Sequence, residues 1–142
     1  MRPEDLIDIE QIKQLKARYF RFMDAKRWDA WADVFTEDCH LQVENGPGVP
    51  QTDVAGRDAI VAYVSHVLEG VITTHHGHMP EIEITGPDSA RGIWAMYDYL
   101  TGPVSLKGYG HYHETYRRDA DGRWRIASLD LRRIRVDAPE SW

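Results

Sequence analysis

The chain has 142 residues, of which 42% are hydrophobic and 28% are charged. This size and balance are typical of one globular domain with a substantial core, so we predict a single domain over residues 1–142. The formal net charge of −6 and the scattered basic residues argue against nucleic acid and anionic membranes as partners. The opening sequence MRPEDLIDIE lacks the apolar core of a secretion signal, and no apolar run could span a bilayer. We therefore expect a soluble, cytoplasmic protein.

Three helices are predicted from apolar residues that recur at intervals of three or four. The first runs from Pro3 to about Asp24, and a proline followed by acidic residues is a typical helix start. A second, short helix fits Trp28 to Phe35, and a third runs from about Asp58 to Leu68. Between the second and third helices, CHLQVE alternates like a short strand and NGPGVPQ predicts a surface loop.

After Gly70 the apolar period falls to about two, which predicts strands. The five predicted strands lie at about Val71 to His78, Glu81 to Thr85, Ala90 to Leu100, Gly108 to Arg118 and Trp124 to Val136. The turn sequences TGPD and DG favour hairpins, so much of the sheet should be antiparallel. Helices packed on one face of such a sheet form an α+β domain.

No motif indicates a cofactor. Neither GxGxxG nor GxxxxGK[ST] occurs, which argues against a flavin or nicotinamide enzyme. Cys39 is the only cysteine, so the chain has no intrachain disulfide and no cysteine-based metal cluster. We expect a protein without a cofactor.

Five of the seven histidines fall in the short segments HHGH and HYH. They are His75, His76, His78, His111 and His113. Most such imidazoles are hydrogen-bonded structural residues. A metal site would need three or four converging ligands, to which pairs of these histidines on one strand side could contribute. Proton transfer instead needs one histidine and a carboxylate that fixes its tautomer.

Asp24 is a candidate carboxylate, because it lies where the first helix ends. It could be exposed to solvent, cap the helix that begins at Trp28, or point inward. Tyr19 is about 140° away around an ideal helix, so the two side chains share a cavity only if the helix ends or distorts near Asp24. The spacing leaves these alternatives open.

A second carboxylate is predicted inside the sheet. Alternation in GIWAMYDYL places Asp98 on the same face as Trp94 and Met96, and a buried aspartate needs a partner. Arg133 falls on the same face as Leu131 and could be that partner, or it could be an exposed arginine of an edge strand.

The whole chain resembles the SnoaL-like branch of the nuclear transport factor two-like superfamily. The resemblance is carried by KARYFRFMDAKRWDAWADVF, HHGHMPEIEI, ARGIWAMYD and DGRWRI. It implies a cone-shaped α+β barrel, also described as cystatin-like, in which three N-terminal helices pack on a curved, mostly antiparallel sheet around a ligand pocket. Members of this superfamily include ketosteroid isomerase, scytalone dehydratase, hexachlorocyclohexane dehydrochlorinase and polyketide cyclases.

Within this superfamily, the chain is most similar to bile-acid 7α-dehydratases. Their tyrosine five residues before an aspartate matches Tyr19 and Asp24, and the first histidine of their HxGH segment matches His75. Their later aspartate and arginine match Asp98 and Arg133. The resemblance implies that these five residues are catalytic. The residues expected to contact the substrate are Phe22, Trp31, His78, Trp94, Met96 and His111.

The resemblance implies a dehydratase or an isomerase. We expect His75 to remove a proton next to a carbonyl group, with Asp24 orienting its ring and Tyr19 donating to the developing enolate oxygen. The large apolar side chains favour a hydrophobic ring substrate such as a steroid, terpenoid or polyketide.

A non-catalytic ligand-binding or assembly module is the alternative, because the same fold also serves in such subunits. Relatives commonly form dimers or trimers, so we expect a homo-oligomer. The segment from Thr101 to Lys107 departs from the relatives, which leaves the substrate open.

Overall fold

The computed structural model describes residues 1–141, which form three α-helices and six strands. The helices are α1 (Pro3–Asp24), α2 (Trp28–Ala32) and α3 (Arg57–Val67). The strands are β1 (Phe35–Val43), β2 (Thr52–Ala55), β3 (Ile72–Gly86), β4 (Ser89–Thr101), β5 (Leu106–Arg118) and β6 (Trp124–Asp137), and a 3-10 turn covers Pro139–Ser141. No helix in residues 1–141 is long and apolar enough to cross a membrane.

The six strands form one curved sheet in the order β2-β1-β6-β5-β4-β3. Neighbouring strands are antiparallel except β1 and β6, which are parallel. The turn predicted at Asp121 and Gly122 joins β5 to β6, and Gly122 has the positive φ of 80° that such a turn favours in glycine. The predicted α+β fold with helices on a mostly antiparallel sheet is confirmed.

The second helix is shorter than predicted. It ends at Ala32, and Phe35 begins β1 instead of closing a helical stripe. The carbonyl of Val34 accepts the N–H of Ile126 at 2.8 Å, and Phe35 is the register partner of Ile126. Pairing with β6 therefore determines the conformation here, although the local spacing of aromatic residues fits a helix. The predicted loop NGPGVPQ leads directly into β2, which the sequence did not indicate.

The break predicted between two strands near Met79 is wrong. A single strand, β3, runs through this region, and the register with β4 shifts between His78 and Glu81. Met79 has a positive φ of 49° at this bulge. Pro80 is tolerated because β3 is an edge strand, where a missing N–H costs no ladder hydrogen bond.

The two faces of the sheet differ in their cover. The helices pack on the inner face, where alternate residues of β4 and β5 such as Trp94, Asp98 and Tyr112 are buried. The opposite, outer face carries the intervening residues, such as Tyr97 and His111. The core lies between α1, α2 and the inner face, and its largest fully buried side chains include Trp31. This layering decides which predicted residues can meet.

Candidate active site

A cavity of about 170 Å³ lies between the helices and the inner face of the sheet. Its polar lining consists of Tyr19, His75, Asp98, Tyr112 and Arg133, together with Asn45, Thr52 and Tyr63. Its apolar lining comes from Met23, Trp31, Leu41, Val43, Val64, Val67, Leu68, Leu100, Val104, Leu106 and Leu131. Tyr63 is 42% exposed, so the cavity reaches the surface on the α3 side. Titratable groups thus line an otherwise apolar cavity.

Asp24 and His75 form a hydrogen-bonded pair at the edge of this cavity. His75 Nδ1 lies 2.6 Å from Asp24 Oδ1, and the backbone N–H of His75 donates to Asp24 Oδ2 at 2.9 Å. Because an ionised carboxylate only accepts hydrogen bonds, the proton of the neutral imidazole is on Nδ1. His75 lines the cavity whereas Asp24 lies behind it, so Nε2 is the nitrogen left for a bound molecule.

The end of α1 makes this contact possible. The helix stops at Asp24, and its last residue can therefore point toward β3 while Tyr19, about 1.4 turns earlier, lines the cavity. Thr73 Oγ1 donates to Asp24 Oδ1 at 2.9 Å and accepts from Lys26 Nζ at 3.2 Å. Asp24 thus neither caps α2 nor extends freely into solvent.

The hydrogen bonds hold Asp24 in its ionised form. Burial by itself would raise the pKa of Asp24, but the donors from the ring and backbone of His75 and from Thr73 outweigh it and lower the pKa below its ordinary value of 3.8. A carboxylate that stays charged at neutral pH can stabilise an imidazolium beside it.

This lowered pKa predicts a pH dependence of stability. As the pH falls, Asp24 is protonated at a higher pH in the unfolded chain than in the native chain. The ionised Asp24 therefore stabilises the native state above about pH 4, and this stabilisation is lost as the pH falls through the native pKa. We expect Asp24→Asn to flatten the decline of the unfolding free energy below about pH 4, measured by urea unfolding. Thr73→Val, which removes one donor, should reduce the decline less. An unchanged acid limb in Asp24→Asn would contradict the lowered pKa.

Asp98 and Arg133 form an ion pair in the lining of the same cavity. Asp98 is the register partner of His75 across β3 and β4, and Arg133 Nη1 lies 3.1 and 3.2 Å from its two oxygens. Both side chains are less than a tenth exposed. Arg133 Nε also donates to the carbonyl of Glu44 at 3.2 Å, and Met96 Sδ accepts from Nη1 at 3.7 Å. The buried aspartate therefore has the arginine partner that burial requires.

Gly108 on β5 makes room for this ion pair. A Cβ at this position would overlap Asp98 Oδ1 and Arg133 Nη1. We expect Gly108→Ala to displace the pair and to lower the unfolding free energy by about 1–3 kcal/mol, as overpacking does in other cores. Chemical unfolding and a crystal structure of the variant would measure both effects. Wild-type stability with the ion pair in place would contradict this role of Gly108.

Two buried phenols face the same cavity. Tyr19 is 4% exposed and Tyr112 is 1% exposed, and their ring centroids are 5.9 Å apart. Burial raises the pKa of each phenol well above its ordinary value, and the Glu114 carboxylate adds to the rise for Tyr19. The two hydroxyls are hydrogen-bonded to each other, with Tyr112 as the donor. Both phenols remain protonated at neutral pH, and Tyr19 keeps its own proton for a bound oxygen.

Only one of the predicted substrate contacts is part of the cavity lining. Trp31 is there, fully buried against Tyr19 with ring centroids 5.8 Å apart. Trp94 lies on the inner face but donates to the hydroxyl of Tyr116 at 2.9 Å, within the core. Met96 contacts the ion pair instead, and Phe22 stacks against the guanidinium groups of α1 and its following turn. In residues 1–141 these three side chains lie outside the cavity lining.

The structure places His78 and His111 on the outer face, so the expectation that they contact a substrate in the cavity is corrected. Both are register partners of Ala95, and the two-residue period of β3 and β5 directs them away from His75 and Tyr112. His76 lies on the same outer face, where its ring stacks on that of Tyr97 with the ring centroids 5.8 Å apart.

The outer-face histidines were also the basis for the metal alternative. No group of three or more His, Cys, Asp or Glu side chains within residues 1–141 is arranged to hold a metal ion.

A larger depression, of about 740 Å³, lies on the outer face and is lined mainly by side chains of β3 to β6 such as Glu81, Arg91 and His113. It contains neither the Asp24–His75 pair nor the Asp98–Arg133 pair. We place the candidate site in the smaller cavity because the hydrogen-bonded titratable groups converge there.

Three features of this site were not predicted from the sequence: Tyr112, Thr73 and the buried pair of Lys16 and Glu114. Strand alternation could have identified two of them. Thr73 is two residues before His75 on β3, and Tyr112 is four residues after Gly108 on β5, so each shares the inner face with that residue. Lys16 lies on the apolar stripe of α1, where a charged residue predicts a buried partner. That partner is Glu114, at 2.6 Å.

Comparison with known proteins identifies relatives over most of the chain. The family model described as a SnoaL-like domain matches residues 4–130. A probable cyclase from Gibberella zeae is 27% identical in an alignment 134 residues long, and the matched part is 87% of this chain and 89% of the cyclase.

Two crystal structures show the same fold. A candidate scytalone dehydratase from Novosphingobium aromaticivorans superposes with a TM-score of 0.81 at 20% identity, over 94% of this chain and 88% of that one. A hexachlorocyclohexane dehydrochlorinase of LinA type 3 from Novosphingobium barchaimii gives a TM-score of 0.76 at 21% identity, over 94% and 90%. At these identities the likeness concerns the fold alone.

Proposed function

The chain belongs to the SnoaL-like domain family, and we propose that it is a cofactor-independent lyase or isomerase that removes a proton next to a carbonyl group of a hydrophobic ring substrate. The observation that carries this proposal is the 2.6 Å contact between Asp24 and His75, with His75 lining an apolar cavity. A histidine held in one tautomer by a buried carboxylate, with its second nitrogen toward a cavity, has the arrangement of a general base. Its relatives include proteins named as a cyclase, a dehydratase and a dehydrochlorinase.

In the proposed first step, Nε2 of His75 takes a proton from the carbon next to the substrate carbonyl. The electron pair of the broken C–H bond moves onto the carbonyl oxygen, which becomes an enolate. Asp24 stabilises the imidazolium that forms, and the hydroxyl of Tyr19 donates to the enolate oxygen. General base catalysis of this kind contributes about 10²–10⁴-fold to a rate.

The second step decides between the two reaction classes. In a dehydration, the enolate electron pair forms the new double bond as the C–O bond of a β-hydroxyl group breaks, and His75 returns its proton to the departing oxygen as water forms. In an isomerisation, the proton returns to another carbon of the same conjugated system. We propose that Asp98 and Arg133 orient the substrate, because both line the cavity. Since they form an ion pair with each other, they add no net charge to the cavity.

The cavity limits what can enter. A volume of about 170 Å³ is close to that of apolar cavities that hold one aromatic ring. We propose that the reacting ring of a polyketide-like, terpenoid or steroid substrate occupies the cavity beside Trp31, and that the rest extends toward Tyr63. The likeness to bile-acid 7α-dehydratases stays a prediction.

Hydrogen exchange tests this proposal without requiring the natural substrate. Cyclic β-hydroxy ketones, hydroxylated enones and 3-keto steroids would be incubated with the protein in D₂O, and α-deuteration followed by NMR while conjugated enones are followed by ultraviolet absorbance. We expect deuteration of at least one ring class, with or without loss of water. Compounds that bind in the cavity but neither exchange nor react would refute the enzyme and favour a ligand-binding module.

The expected homo-oligomer also stays a prediction. Light scattering of the purified protein would give the number of subunits directly, and a monomer would contradict the expected dimer or trimer.

A further inference from the structure

A buried ammonium group lies directly behind the two phenols of the cavity. Lys16 Nζ is 3.8 Å from the ring centroid of Tyr19 and 3.5 Å from that of Tyr112. Its carboxylate partner is Glu114, with Nζ 2.6 Å from Oε2, and neither side chain has any exposed surface. The cation therefore contacts both rings that line the cavity, although it does not line the cavity itself.

A chain of hydrogen bonds holds the second oxygen of the Glu114 carboxylate, which does not contact Lys16. The second oxygen of Glu114 accepts from the Tyr116 hydroxyl at 2.7 Å, and that hydroxyl accepts from Trp94 Nε1 at 2.9 Å. Each member of the chain is buried and has a partner. Burying two charges in this way is expensive, and a pair of apolar side chains would pack such a core at least as stably. The stability of the fold alone therefore does not explain why this position carries a charge.

We propose that Lys16 is a positioning residue that acts through Tyr19 and Tyr112. It strengthens Tyr19 as a hydrogen-bond donor to a negatively charged oxygen in the cavity, and it strengthens Tyr112 as the donor to Tyr19. A cation over an aromatic ring is attracted to its electron-rich face and draws electron density from the ring. A phenol polarised in this way donates a stronger hydrogen bond, and the positive charge also acts directly on a nearby oxyanion in a site of low dielectric constant. The inference rests on the proposed function and extends it from one oxyanion donor to a chain of two phenols that share a cation.

The groups around Lys16 determine the pH range in which its ammonium group stays charged. Burial lowers the pKa of Lys16 to about 8, and the opposing effect of Glu114 does not fully compensate. The other titratable groups that face the ammonium are Glu114 and Tyr112 from β5, Tyr19 from its own helix and Cys39 from β1. Burial raises the pKa of the Cys39 thiol to about 12 and those of both phenols well above their ordinary values. Lys16 therefore loses its charge at a lower pH than these three groups lose their protons.

The test uses 4-nitrophenol, a single-ring probe whose phenol ionises near neutral pH and whose phenolate absorbs visible light. Absorbance titration at neutral pH gives the ionised fraction of the bound probe. In the wild type we expect the bound probe to be more ionised than the free probe. The double variant Lys16→Met/Glu114→Gln removes both charges and keeps an acceptor for Tyr116. In this variant we expect the acid dissociation constant of the bound probe to fall by about tenfold or more, so that less of the bound probe is ionised. Arg21→Met is the matched control, since Arg21 is a surface cation of the same helix over the Phe22 ring.

The wild type supplies a second measurement that does not depend on the folding of a variant. Its affinity for the nitrophenolate should fall as the pH rises above about 8, although the free probe is by then mostly ionised. An unchanged ionisation of the bound probe in the double variant, an affinity that stays flat up to the alkaline pH at which the protein unfolds, or no binding of the probe would each overturn the proposal. Preferential phenolate binding without α-hydrogen exchange would instead refute the lyase or isomerase and keep the role of Lys16.

Discussion

We expect His75→Gln to lower kcat by about 10²–10⁴-fold on whichever ring substrate the exchange screen identifies, because the proposed base is removed. Glutamine retains a polar side chain that can bond to Asp24, so the fold should be preserved. Measuring kcat and KM separately matters here. A base that acts only in the chemical step affects kcat, whereas a side chain that merely binds the substrate changes KM.

His76→Gln provides the control for this substitution. His76 is the next residue along β3, but it lies on the outer face against Tyr97. The same change of side chain one position away should leave kcat within about twofold, because the two residues share a strand and differ in the face they occupy. A wild-type kcat in His75→Gln, or an equal loss in both variants, would refute His75 as the base.

Much of the fold could be predicted from the sequence, because apolar spacing reports burial. The helix from Pro3 to Asp24 agrees to the residue, and the inner face of β4 follows the alternation around Trp94. Local spacing fails where a distant strand decides the conformation. Phe35 fits a helical stripe with Trp31, but pairing with β6 places it in a strand.

The Asp24–His75 pair could not be derived from spacing. The two residues are 51 positions apart, and their contact depends on where α1 ends relative to β3. The residues alone left Asp24 with three readings, and only the family resemblance favoured the inward one. Asp98 was more accessible to physical reasoning, since a buried carboxylate requires a partner and Arg133 was on a compatible face.

The errors at His78 and His111 have a simple cause. The alternation of β3 that places His75 on the inner face necessarily places His76 outside, and the even spacing along β5 that puts Tyr112 inside puts His111 outside. His78 is also exposed, on the edge strand β3. Histidine clusters attract functional interpretations, but strand period allows only some members of a cluster to share one cavity.

The second large effect concerns stability. We expect Lys16→Met to lower the unfolding free energy by about 3–5 kcal/mol, because it leaves the Glu114 carboxylate buried without its partner. A typical domain has only about 5–15 kcal/mol of stability, so urea unfolding at neutral pH should show an unmistakable shift of the midpoint. Glu114→Gln in addition to Lys16→Met should recover a large part of the loss, since no uncompensated charge then remains in the core.

An exposed ion pair supplies the comparison for this loss. Arg91 and Glu83 form a salt bridge with both side chains more than 60% exposed, and exposed pairs of this kind contribute about 0–1 kcal/mol. Arg91→Met should therefore change the midpoint little, although it removes a cation from an ion pair just as Lys16→Met does. The difference between the two variants measures the cost of an unpaired charge in the core. Equal effects, or no recovery in Lys16→Met/Glu114→Gln, would show that an unpaired Glu114 carboxylate costs the fold little.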